Sequence, residues 1–295
     1  MAVHKRGLGG GVAAPPKAGE NEVEDIGPTR MPVSETASTP LLLRTDHDGV
    51  ATLTLNRPAA RNALSLGLLE ALRNAFAGLA EDGSVRAVVL AAAGPAFCAG
   101  HDLKEMTGYR READRGAKRF EELFALCSDV MMAIPALPQP VIAAVEGVAT
   151  AAGCQLVASC DLAVAGAQAR FATPGVQIGL FCSTPMVALS RNLSRKAAMR
   201  MLLTADMADA TEAQRLGLVN DVVGAGGALP AAQALAAGIA ARSPYTVRAG
   251  KRAFYEQLGM PLAEAYAHAG RVMLENMLAR TAEEGIAAFL DRRGR

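Results

Sequence analysis

The chain has 295 residues, 51% hydrophobic and 20% charged, with 30 Lys and Arg against 29 Asp and Glu. Such a composition supports a sizeable core and excludes a wholly disordered chain. The near balance of charge, with 4% aromatics and no Trp, argues against a nucleic-acid surface, a base-stacking platform or a polybasic membrane anchor.

Residues 1–40 read as a disordered tail. They hold Gly9-Gly10-Gly11, Pro15-Pro16, an acidic patch and Ser/Thr/Pro, with no apolar period. Order begins at Leu41. The runs 41–47 and 50–56 are joined by Asp48-Gly49, a hairpin signal. Leu68, Leu69, Leu72, Phe76 and Leu79 recur at helical spacing, which predicts a helix over 62–80. A buried strand follows at 85–91. Phe120 through Ile134 mark a second helix, closed by Pro135 and Pro138. Further strands are expected at 141–145 and 162–165. Strands alternating with helices imply a parallel sheet with crossover helices, whose ligands bind beyond the carboxyl ends of the strands. After about residue 184 the pattern turns helical, with a capping-box start at Thr211-Glu212-Ala213-Gln214, a stop at Gly217, and helices near 228–242, 244–257, 261–279 and 281–293. This gives a tail (1–40), a core (41–220) and a helical C-terminal region (221–295).

The five cysteines, Cys98, Cys127, Cys154, Cys160 and Cys182, form no CxxC and have no His cluster beside them. A disulfide framework or a metal site is not expected, and a reducing compartment is. No run reaches about 18 apolar residues, so no membrane span is expected. Residues 1–11 lack the apolar stretch of a secretory leader. Cytoplasm is the expected location. A mitochondrial leader is the alternative, which Glu20, Glu22, Glu24 and Asp25 fit poorly.

Two loops could carry chemistry. One runs from Gly94 to Met106, where Gly94 and Gly100 permit sharp turns and leave peptide N–H groups near His101 free to face a ligand. The other runs from Glu146 to Leu156, where small residues pass from a strand into a helix. Unpaired N–H groups at a helix start, reinforced by its dipole, attract developing negative charge, and two such donors make an oxyanion hole.

Phe97-Cys98-Ala99-Gly100-His101-Asp102-Leu103-Lys104-Glu105-Met106 together with Ala151-Ala152-Gly153-Cys154-Gln155-Leu156 resembles the crotonase (enoyl-CoA hydratase/isomerase) superfamily. Asn56-Arg57-Pro58, Asn62-Ala63-Leu64, Ser159-Cys160-Asp161, Phe171-Ala172-Thr173-Pro174 and Gly217-Leu218-Val219 extend the resemblance over about 41–295. Residues 149–161 and 171–185 look most like the mitochondrial-type enoyl-CoA hydratase domain-containing proteins. The resemblance implies an α/β fold, a crotonase-like spiral of ββα units with a helical C-terminal trimerisation region. It also implies a coenzyme A thioester as substrate, no permanently bound cofactor, and assembly as a homo-trimer or hexamer. It puts the oxyanion donors at the backbone N–H of His101 and Ala152. Contacts to CoA fall on Ala59, Arg61, Asn62, Ala63, Ala99, Gly100, His101, Asp102 and Leu103.

The sequence departs from the family at both acid–base positions. Where the resemblance expects two glutamates, Gln155 and Gly175 stand. Gln cannot titrate and Gly has no side chain, so hydration by the family's usual route is expected to be severely impaired. Glu at both positions together is expected to do more than the sum of the singles, unless Gly175 is glycine for a backbone reason, in which case the double variant misfolds. His101 and Glu146 are the candidate replacement bases. Asp102 reads as a helix cap, Asp161 as a structural turn acid, and Cys154 and Cys182 as packing residues. Two classes of function stay open: an enzyme acting by enolate stabilisation, including a decarboxylase or hydrolase needing no base, and a non-catalytic acyl-CoA-binding pseudoenzyme.

Overall fold

The structure, a computed structural model, describes residues 39–293 and, near the N-terminus, residues 11, 13 and 14. Apart from those few positions, the tail expected over 1–40 lies outside the described residues.

The chain enters through a hairpin of β1 (Leu42–His47) and β2 (Val50–Leu55). Asp48 and Gly49, at φ 48° and 79°, supply the two left-handed residues that a tight hairpin turn needs. A 3-10 turn (Pro58–Ala60) follows, and α1 (Leu66–Glu81) starts where the Ser65 side chain accepts the Leu68 N–H. The helix thus begins four residues later than its apolar period predicts, because Arg61 and Asn62 are left-handed. Asn62 is fully buried; its Oδ1 accepts the Arg57 N–H and its Nδ2 donates to the Ala93 and Ala96 carbonyls. Those bonds hold residues 57–62 against the next strand pair.

Next come β3 (Ala87–Ala92), β4 (Ala96–Cys98), α2 (Leu103–Tyr109) and α3 (Ala117–Ala136). The pattern repeats with β5 (Val141–Val145), β6 (Val148–Thr150) and α4 (Ala152–Ser159), then with β7 (Leu162–Gly166), β8 (Arg170–Ala172), a 3-10 turn (Pro174–Ile178) and α5 (Ser183–Asn192). The first strand of each pair joins a six-stranded sheet ordered β1-β2-β3-β5-β7-β10, and the second joins a four-stranded sheet ordered β4-β6-β8-β9. This is the expected spiral of ββα units. The helices α6 (Arg195–Thr204) and α7 (Ala210–Leu216) flank β9 (Ala208–Asp209). The Asp209 side chain, rather than Thr211, caps α7, and Gly217 ends it in the left-handed conformation.

β10 (Asp221–Val223) extends the six-stranded sheet beside β7, and α8 (Ala228–Ala240) packs on that sheet's face. Alternate residues of β3 face opposite ways, as strand geometry requires. Val88 and Leu90 pack under α1 and α3, while Ala87, Val89 and Ala91 meet the α8 stripe Ala232, Ala236 and Ala240. α9 (Pro244–Gln257), α10 (Leu262–Leu278) and α11 (Arg280–Arg293) follow. α9 is anchored by a buried node: Asp161 accepts from Lys251 Nζ at 2.7 Å, Tyr255 Oη at 2.8 Å and the Val141 N–H at 2.6 Å. Asp161 is therefore the structural acid that its setting predicts. No described helix is long and apolar enough to cross a membrane.

Candidate functional site

The strand β4 delivers the first loop onto the segment before α1. The Ala99 N–H donates to the Arg61 carbonyl (3.0 Å), the Leu64 N–H to Gly100 (2.8 Å) and the Asp102 N–H to Leu64 (3.2 Å). Ala59, Arg61, Asn62 and Ala63 are thereby held beside Ala99, Gly100, His101, Asp102 and Leu103. Ala59, Arg61 and Leu103 are exposed, whereas Asn62 offers a ligand only its backbone, its amide being fully used. Asp102 caps α2 through the Lys104 and Glu105 N–H groups and pairs with Arg57 at 3.0 Å. Burial pushes its carboxyl up, but these partners outweigh burial and hold it below the usual carboxylate range. It is a cap, as its position predicts.

The second loop meets the first backbone to backbone. Ala151, the N-cap of α4, sits at φ 50°, ψ −119°, which is strained for a residue with a Cβ. Its N–H donates to the Ala172 carbonyl at 2.9 Å, tying β8 to the start of α4. A Cβ on Gly100 would lie 2.9 Å from the Ala151 Cβ and 3.4 Å from the Ala152 nitrogen; one on Gly153 would lie 2.1 Å from the Cys98 carbonyl oxygen. Only glycines permit this approach. Among the described residues neither the His101 nor the Ala152 N–H has an acceptor. His101 pairs with Leu64 in a parallel bridge that uses the flanking Gly100 carbonyl and Asp102 N–H, so the His101 N–H turns the other way. Ala152 is the first residue of α4, whose N–H has no partner within the helix, and no side chain caps it. Two backbone donors, one reinforced by a helix dipole, are thus left unspent where the loops touch.

Gln155, one turn into α4, is buried, and its Oε1 has no partner. Gly175 is also buried. A Cβ there would lie 2.8 Å from the Leu180 carbonyl oxygen and 2.9 Å from Cys182 Sγ. Residues 180–182 occupy the space into which a side chain at 175 would grow, which gives glycine a backbone reason to stand there and weighs against recovery by paired glutamates.

The candidate replacement bases divide. Glu146 accepts the Ala228 N–H at 2.9 Å at the start of α8, and its carboxylate packs against Gly166, so it serves α8 and not the loops. The His101 ring packs edge-on to Phe124, with centroids 5.6 Å apart. Burial holds it below the usual imidazole value, while the Leu64 carbonyl and Glu105 pull weakly upward, and neither ring nitrogen closes a hydrogen bond of good geometry. The ring is accordingly neutral at pH 7. All five thiols are free and buried, and burial pushes Cys154 up to about 12, which leaves it protonated and inert. Among the described residues no group of three His, Cys, Asp or Glu is placed to hold a metal.

Two features escaped the sequence. Tyr109, Phe120 and Phe124 form an aromatic row that runs on from His101, with centroid spacings of 5.9 and 6.3 Å. Aromatic residues with no strict period gave no cue to it. Thr173, fully buried beside Ala172, has a hydroxyl without a partner. A groove of about 1040 Å³ lies between the end of α3 and α9, but none of its lining residues, Met132, Tyr245 and Arg248 among them, belongs to either loop. The loops and their free donors form the candidate site, and the groove lies apart from both loops.

Residues 45–295 match the family model described as enoyl-CoA hydratase/isomerase. The chain is 46% identical over 246 residues to the rat enoyl-CoA hydratase domain-containing protein 3, mitochondrial, covering 83% of this chain and 80% of the rat protein. It is 36% identical to the Escherichia coli 2,3-dehydroadipyl-CoA hydratase over 83% of this chain and 93% of that one. A crystal structure of a Mycobacterium smegmatis enoyl-CoA hydratase superposes with a TM-score of 0.82 at 55% identity, over 86% of this chain and 97% of that one. The structure of human enoyl coenzyme A hydratase domain-containing protein 3 superposes with a TM-score of 0.81 at 42% identity, over 86% and 98%. In sequence and in its crotonase fold, the chain belongs to the enoyl-CoA hydratase/isomerase family.

Proposed function

We propose that the protein binds an acyl-CoA thioester and polarises its carbonyl between the N–H groups of His101 and Ala152, without an acid–base pair for hydration. The observation that carries this reading is the pair of unspent backbone donors held together by the contact of Gly100 with Ala151. CoA would run along Ala59, Arg61, Asn62 and Ala63 and along Ala99–Leu103, with Asn62 contributing backbone only. The acyl chain would lie against the row Phe124, Phe120 and Tyr109. CoA enters as part of the substrate and is not a resident cofactor.

The missing side chains decide the chemistry. An oxyanion donor is worth about 3–4 kcal/mol to a developing enolate, and both donors are backbone, so they do not depend on the side chains that stand at 155 and 175. Proton transfer is a separate requirement. Gln155 has no titrating group, Gly175 has no side chain, Glu146 and Asp161 are committed elsewhere, and Asp102 is held by Arg57. The reading therefore favours binding and carbonyl polarisation over water addition. Calorimetry with acetoacetyl-CoA should show saturable binding; a folded sample that binds none at millimolar ligand refutes the reading.

We also propose a homo-trimer or hexamer. Phe254, Leu258, Leu262, Tyr266, Met273 and Met277, on α9, α10 and the turn between them, are each more than half exposed, and exposed large apolar side chains gathered on one helical pair are the mark of an interaction surface. Light scattering should give three or six times the chain mass, and a monomer at micromolar concentration would contradict this. On location, the free buried thiols suit any reducing interior, and the names of the vertebrate relatives favour the mitochondrial alternative over the cytoplasmic one.

A further inference from the structure

Three buried polar groups without partners stand around the contact of the two loops: the His101 ring nitrogens, Gln155 Oε1 and Thr173 Oγ1. Gln155 is 4% exposed and Thr173 not at all. A buried polar atom without a partner costs about 1–3 kcal/mol, so three on residues flanking one backbone contact call for a ligand or water that satisfies them.

Their placement follows from contacts already described. Gly100 abuts Ala151 and the Ala152 nitrogen, and the Ala151 N–H is bonded to the Ala172 carbonyl, so residues 100, 151 and 172 meet at one point. His101 and Thr173 are each the next residue along the chain from that point, and Gln155 is one helical turn beyond Ala152. All three groups are uncharged: a hydroxyl, an amide and a neutral imidazole, each able to donate and to accept. Among the described residues no cation is bonded to them. Arg57 is spent on Asp102 and the Ala63 carbonyl, and Arg61 and Lys104 are exposed. A carboxylate brought here would lose its water without gaining a counter-charge, whereas a neutral oxygen would find both donors and acceptors.

We propose that His101, Gln155 and Thr173 form an uncharged hydrogen-bonding subsite that makes the protein select acyl groups carrying a neutral oxygen over apolar and carboxylate-bearing ones, with Thr173 as a specificity-determining residue. The proposal rests on the thioester reading above and deepens it.

The test is calorimetry on the full chain with three probes of similar length: 3-hydroxybutyryl-CoA, butyryl-CoA and succinyl-CoA. The hydroxy compound should bind at least about tenfold tighter than butyryl-CoA, the increment of one hydrogen bond to an otherwise orphaned group. Succinyl-CoA should bind at least about tenfold weaker than the hydroxy compound. Thr173→Val, close in shape but without the hydroxyl, should erase most of the preference, read as the ratio of 3-hydroxybutyryl-CoA to butyryl-CoA affinity. Thr173→Ser should keep the preference, which separates a lost hydroxyl from a disturbed fold. Equal affinity for all three probes, tightest binding of succinyl-CoA, or an unchanged preference in Thr173→Val overturns the subsite and leaves thioester binding standing. Failure of every probe to bind overturns both.

Discussion

Crotonyl-CoA hydration by this protein is expected to run at least ~10³-fold below that of a hydratase carrying both glutamates, since general acid–base catalysis commonly contributes ~10²–10⁴-fold. The hydration reaction must take a proton from water and give one to the α-carbon, and the two backbone donors at His101 and Ala152 do neither. Gln155→Glu alone should recover little, because the second role stays unfilled. Gly175→Glu should not fill it. Its Cβ would meet the Leu180 carbonyl oxygen at 2.8 Å and Cys182 Sγ at 2.9 Å, and a backbone carbonyl does not step aside as a flexible side chain would. Overpacking of this kind costs about 1–3 kcal/mol, so the variant and the double variant should melt at lower temperature and stay inactive. A steady-state hydration assay with thermal melts checks both parts. Hydration by the unmodified chain at full rate would contradict the argument and point to the His101 ring as an unrecognised base.

Gly153→Ala is expected to be severely damaging to the site. The added Cβ would stand 2.1 Å from the Cys98 carbonyl oxygen and 2.8 Å from the Cys98 Cβ. Both partners lie in the packed interior where β4 meets α4, so the loops must part, and with them the two N–H donors. Gly100→Ala should be next, since φ is +92° and the Cβ would crowd Ala151 at 2.9 Å and the Thr150 carbonyl at 3.1 Å; Gly100→Val should abolish thioester binding. Gly78→Ala, on the exposed face of α1 with nothing within 4 Å, is the control and should stabilise by about 0.5–1 kcal/mol. Thermal melts together with acetoacetyl-CoA calorimetry separate loss of fold from loss of site. A Gly153→Ala protein that melts and binds like the parent would mean that the loops do not touch as described.

The parts of the fold carried by local chemistry were legible in the sequence. Asp48-Gly49 gave the hairpin, the Leu68 to Leu79 spacing gave α1, and the apolar run 141–145 gave β5 to the residue. The second sheet was not legible: β4, β6, β8 and β9 span two or three residues each and exist only through partners distant in sequence. The loops of the site were found because glycines and small residues between strand and helix signal a tight backbone path. What the side chains do there was a tertiary matter. Glu146 proved to cap α8, Asn62 to staple its own loop, and the crowding at Gly175 came from residues 180–182, none of which a pattern of residue types reports. Thr173 enters the sequence reading only as part of the Phe171-Ala172-Thr173-Pro174 motif, and only its burial without a partner sets its side chain apart.

The central claim, a thioester oxygen held by two backbone donors, has a direct optical test. Acetoacetyl-CoA ionises to an absorbing enolate, and a site that stabilises negative charge on the thioester oxygen lowers the pH at which this happens. Ultraviolet difference spectra of the bound ligand at neutral pH should show more enolate than the free ligand at the same pH, and Gly100→Val should remove the difference. Saturable binding with no gain in enolate absorbance would contradict the oxyanion site.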